Sequence, residues 1–151
     1  MVIQRHHHIQ YNQRSISQKV CLILGFFLIL LGLVGTVLPE AMSMHLSPSH
    51  NIIHLLTGVL GMWIGSMDEA KRATTFCIVT GFLYTAIGIA GFVIGLPGYP
   101  SGNMPGMRGD QYLFKAIPNV LELGSMDHTV HLILGAFLLF SAIPSKKNNN
   151  F

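Results

Sequence analysis

The chain has 151 residues, of which 50% are hydrophobic and only 10% charged, and its formal net charge is +3. That charged share lies far below the roughly 25% of soluble globular domains, which excludes an ordinary water-soluble fold. The basic residues form no stripe interleaved with aromatics, so nothing in the composition supports a nucleic-acid partner.

In chain order, residues 1–19 read as a polar tail carrying His6, His7 and His8, and four apolar runs follow. They predict helices over about 20–38, 51–67, 74–96 and 128–143, joined by a short loop, a short turn and a long loop over 97–127, with a second polar tail at 144–151. At 1.5 Å per residue these runs can cross a hydrocarbon core of roughly 30 Å, the second and fourth only just. A segment in that core must satisfy its backbone internally, so each is expected to be a helix. The first run has no small-x-small cleavage site before Pro39 and reads as a retained helix, not a signal peptide. Cys21 and Cys77 stand near the starts of the first and third helices, where a structural disulfide is not expected.

Lysine and arginine set the orientation. Arg5, Arg14, Lys19, Lys71, Arg72, Lys146 and Lys147 fall on the tails and the short turn, against only Arg108 and Lys115 on the opposite side. The positive-inside rule then puts both termini in the cytoplasm.

The four helices repeat in pairs. CLILGFFLILLGLVG, from Cys21 to Gly35, overlays CIVTGFLYTAIGIAG, from Cys77 to Gly91, without a gap. HNIIHLLTG, from His50 to Gly58, overlays DHTVHLILG, from Asp127 to Gly135, pairing Asn51 with His128 and His54 with His131. The expected fold is therefore an all-α membrane bundle of two parallel two-helix hairpins. Small residues mark close helix approach, which assigns Gly25, Gly32, Gly58, Gly61, Gly65, Gly81, Gly88 and Gly135 to helix contacts. Gly135 and the glycines of the second helix share the faces of His131 and His54, so both imidazoles are expected to point into the bundle.

Polar residues concentrate at one end of the bundle: His50, Asn51, His54, Asp127, His128 and His131. One reading makes them interhelical glue, each hydrogen bond worth about 0.6 kcal/mol. A second makes them a metal site, because His50 and His54 are four apart and His128 and His131 three apart, each pair on one helical face. These ligand types suit Zn²⁺ or Cu²⁺. The outer loops add His45, Met42, Met44, Met104 and Met107, where thioethers could collect Cu⁺ and where flexible apolar filler is the plainer role. A third reading, ranked lower, is a b-type haem between His54 and His131, which would need a wide cavity. Ionisable residues other than histidine are missing from the middle of the runs, and there is no nucleophile elbow, phosphate loop or HExxH segment.

Pro48, His50, Asn51 and His54, with their copy at Asp127–His131, resemble a family of small bacterial four-helix membrane proteins described only as a domain of unknown function. The resemblance spans Val20 to Ile143 and implies a bacterial inner-membrane bundle, with His128 where asparagine would be expected. It carries no activity. The leading expectation is a non-enzymatic membrane protein whose polar cluster locks the repeats together and whose outer loops contact a protein partner or another copy; the alternative is transition-metal binding at the envelope.

Overall fold

Each helix begins three or four residues before its apolar run: α1 spans Ile16–Val37, α2 Pro48–Ser66, α3 Ala70–Ile94 and α4 Ser125–Ser141. These bounds come from a computed structural model, which describes residues 14–101 and 108–143. For three of the helices the early start is a matter of capping. Ser15 Oγ accepts from the Gln18 N–H at 3.2 Å while Gln18 Oε1 accepts from the Ser15 N–H at 2.8 Å, a reciprocal capping box. Ser47 caps α2, with Pro48 in its first turn, and Asp127 accepts from the Gly124 N–H at 2.7 Å to start α4. The expected sites at Met104, Met107 and His6 to His8 lie outside the described residues.

The all-α expectation needs correcting in the long loop. Its described parts form a three-stranded antiparallel sheet, in the order β1 (Leu96–Gly98), β2 (Asp110–Ile117), β3 (Leu121–Leu123). Pro118, read as a mere break, sits in the turn of the β2–β3 hairpin, where Asn119 takes a left-handed φ of 64°. Asparagine tolerates that conformation, so the turn closes and the strands pair.

The helices pack as two hairpins, α1 on α2 and α3 on α4, and the hairpins meet mainly through α1 and α3. Glycine permits the close approach. A Cβ added at Gly25 would lie 2.7 Å from the Gly58 carbonyl oxygen, and one at Gly81 would lie 3.1 Å from that of Gly135. Gly32 faces Leu55 and the Asn51 backbone, and Gly88 faces Leu132 and the His128 backbone. Gly61 and Gly65 sit against α1 near Cys21 and Gln18. Between the hairpins Cys21 and Cys77 meet as free, buried thiols, their sulfurs 3.6 Å apart. Around the thiols Leu24, Leu28, Tyr84 and Leu138 complete the buried core, while Ile23, Phe26, Leu56, Trp63, Phe82, Val93, Ile133 and Phe140 face outward. α1 and α3 are long and apolar enough to cross a membrane.

At one end, the capped end, the sheet and the segment around a 3₁₀ turn, Ala41–Ser43, cover the bundle. Two carboxylates hold the cap. Asp110 accepts from the Ser125 N–H at 3.0 Å and from its hydroxyl. Glu122, fully buried, accepts from the backbone N–H groups of Ser101 and Asn119 at 2.9 Å each and from the Ser101 hydroxyl. Burial alone would raise the Glu122 pKa, but these donors and the Lys115 ammonium outweigh it and hold the carboxyl below its usual range. A carboxylate depressed in the folded state contributes stability that is present above the unfolded value, about 4.3, and lost as pH falls through the folded one. Amide-exchange protection of β3 should therefore match at pH 7 and pH 5 and drop below about pH 4. Unchanged protection at pH 3 would contradict this.

Candidate metal centre

α2 and α4 start at the capped end, so their first two turns carry the polar residues into its interior. Of the six clustered residues expected from sequence, three converge. One ring nitrogen each from His50, His54 and His131 lies within 4.8 Å of the other two, and all three side chains are buried. The His50 ring centroid is 4.3 Å from that of His54 and 5.7 Å from that of His131.

Hydrogen bonding leaves these rings incomplete. His50 Nδ1 donates to the His45 carbonyl at 2.9 Å, which fixes the tautomer and leaves Nε2 with a free lone pair. His50 Nε2, His54 Nδ1 and His131 Nδ1 are buried without a hydrogen-bond partner among the described residues. An unsatisfied buried polar atom costs about 1–3 kcal/mol, so three on facing rings call for a ligand. Tyr84, which sequence reasoning passed over, adds a fourth: its ring lies 5.1 Å from His131 and its hydroxyl is also buried and unpartnered. The signal was present as a lone phenol inside the apolar string GFLYTAIG.

Asn51 and His128 are not part of the triad, so the metal reading has three histidines where the spacing offered four. Asn51 Nδ2 donates to the Leu46 carbonyl at 3.0 Å, and His128 Nε2 pairs with the Tyr112 carbonyl at 2.7 Å. The Asn51 amide packs against Gly35 and the His128 ring against Gly91, too closely for any side chain at either glycine. Both residues therefore tie a helix to the cap, and His128 supports the sheet through β2. His128→Ala should cost about 1–3 kcal/mol of stability, the penalty of an orphaned buried carbonyl, without changing ion binding at the triad. A thermal melt paired with a metal titration checks this; loss of the bound ion in this variant would return His128 to the ligand set.

Asp127 lies between the cap and the triad. It accepts from the backbone N–H groups of Gly124 and His45, and its Oδ1 stands 4.0 Å from His50 Nδ1. His45, on the segment before α2, is buried with Nδ1 3.6 Å from Asp127 Oδ2. Burial lowers the His45 pKa, but Asp127, the Arg108 carbonyl and Asp110 outweigh it and raise it above the ordinary histidine value. The field at this ring thus favours positive charge. Met44 is buried against Leu31 and Leu46, whereas Met42 is exposed, so neither thioether is placed with the triad.

Three buried imidazoles with one of them oriented by a backbone carbonyl match the donors and the outer support of a transition-metal site. A porphyrin between His54 and His131 would have to pass where the His50 ring stands, so the triad does not fit haem. Comparison of the chain with protein-family models, with curated proteins and with solved structures found no match.

Proposed function

We propose that the protein is an integral membrane protein that binds a single transition-metal ion, Zn²⁺ or Cu²⁺, through His50, His54 and His131. The observation that carries this reading is the trio of convergent buried rings, each with a nitrogen lacking a hydrogen-bond partner. Interhelical glue, the reading favoured by the sequence, would consume those nitrogens, whereas the polar bonds of Asn51 and His128 go to carbonyls of the cap, at Leu46 and Tyr112. Neutral imidazole without thiolate suits Zn²⁺ and Cu²⁺, and three protein ligands would leave a coordination position open on a four-coordinate ion. Titration with Co²⁺, a spectroscopic stand-in for Zn²⁺, tests the site: a visible band saturating at one equivalent supports it, and a featureless spectrum overturns it.

The proposal includes the topology. α2 and α4, at about 28 Å and 26 Å, are long enough to cross with α1 and α3, and all four present large apolar side chains outward. The matched contacts of Gly25 with Gly58 and Gly81 with Gly135, and of Gly35 with Asn51 and Gly91 with His128, support a duplicated hairpin. With the lysines and arginines of the turn and tails inside, the capped end is the outer face of a bacterial inner membrane. The likeness of the two histidine segments to small bacterial four-helix proteins is part of the same reading. Reporter fusions after residues 45 and 69 should report opposite sides of the membrane; the same side for both would contradict four crossings.

A further inference from the structure

The triad is buried, so an ion must reach it by some route, and the outer cap offers one. A cavity of about 210 Å³ opens at the capped end, lined by Glu40, Ser43, Met44, His45, Arg108 and Asp110. Arg108 is turned to the rim, most of its side chain in solvent, with Nε on Glu40 Oε2 at 3.1 Å. Below it the unpartnered buried polar atoms form a series: Glu40 Oε1, His45 Nδ1, Asp127 Oδ1 and His50 Nε2. From His45 inward the residues are close. His45 Nδ1 is 3.6 Å from Asp127, and Asp127 Oδ1 is 4.0 Å from His50 Nδ1.

Resting on the reading of His50, His54 and His131 as ligands, we propose that this cavity is the loading port of the metal centre, through which a divalent cation passes His45 and Asp127 to reach the triad from the outer face. Carboxylate and imidazole in turn are donors that hold a borderline divalent cation briefly and release it to three imidazoles. The position of Asp127 also explains why one of its oxygens is spent on capping while the other is left free. Oδ2 fixes the start of α4 and the His45 backbone, and Oδ1 faces the rings. The route exchanges one set of neutral and anionic ligands for another without a redox step, so the ion keeps its charge throughout.

The test separates the port from the site. The full-length protein in detergent is stripped with a chelator, and uptake of Zn²⁺ is followed in time with a zinc-responsive dye. Ser43 lines the cavity and touches none of the three rings, so Ser43→Cys, before and after reaction with a bulky neutral thiol reagent, plugs the port alone. Cys21 and Cys77 are buried, and the parent treated with the same reagent is the control. Blocking Cys at 43 should slow Zn²⁺ uptake at least about tenfold, which corresponds to about 1.4 kcal/mol on the entry barrier, with the final stoichiometry unchanged. His45→Gln, without reagent, should slow uptake by a similar factor. Parent rates in both the blocked variant and His45→Gln would overturn the port and leave the triad standing. A parent that takes up no Zn²⁺ would overturn both.

Discussion

Replacing His131 or His54 by alanine should reduce metal affinity by more than 100-fold. Loss of an outer-shell partner alone costs about 10- to 100-fold in known metal sites, and these residues would be ligands. His54 and His131 are each the seventh residue of their helix, α2 and α4, which makes the two variants comparable. The stability change should be smaller than that of a hydrogen-bonded polar core residue. Since the His54 and His131 Nδ1 atoms are unpartnered, removing either ring relieves a desolvated nitrogen while leaving a cavity, and in the metal-free protein the two effects offset to within about 2 kcal/mol. Competition against a chromophoric chelator measures the affinity. Equal affinity in parent and variants would remove these residues from the site.

The second large effect is expected at the helix contacts. Gly58→Leu should destabilise the bundle by about 3 kcal/mol or more, because a Cβ there meets the Gly25 carbonyl oxygen at 2.7 Å and the Ile29 backbone nitrogen at 2.9 Å. These neighbours are backbone, which cannot swing aside as a side chain can. Gly135→Leu should do the same to the other hairpin, where the added atoms meet the Gly81 carbonyl and the Thr85 backbone. Outward-facing Ile52→Leu exchanges one apolar surface for another and should change little. Thermal unfolding in detergent decides: a Gly58→Leu variant as stable as Ile52→Leu would mean that the α1–α2 contact is looser than described.

The apolar runs were legible because each lacks charge for most of its length, and the glycines were legible because Gly25, Gly32, Gly81 and Gly88 recur at fixed spacing within matching strings. The site was legible in part. Helical periodicity placed His50 and His54 on one face, but it could not separate His128 from His131, which are three apart and differ in direction by enough to face α3 and the triad respectively. That choice is made by Gly91, which leaves room for one ring, and by the Tyr112 carbonyl, which belongs to a strand 16 residues away. The sheet itself was hidden because its pairing is nonlocal: Leu96 meets Leu113 across a segment rich in glycine and proline, and nothing local to either marks the other. His45 was singled out as an outer-loop residue, yet its contact with Asp127 joins positions 82 apart in the chain and needs the folded cap to bring them together.

Elemental mass spectrometry of the full-length protein purified without chelators reads out whether three histidines hold one ion. About one equivalent of zinc or copper per chain, absent from a His54→Ala/His131→Ala double variant and retained in His128→Ala, is the expected result. A parent free of metal that also fails to take up added Zn²⁺ or Cu²⁺ would contradict a three-histidine ion site, and would leave the three facing imidazoles to be explained by packing alone.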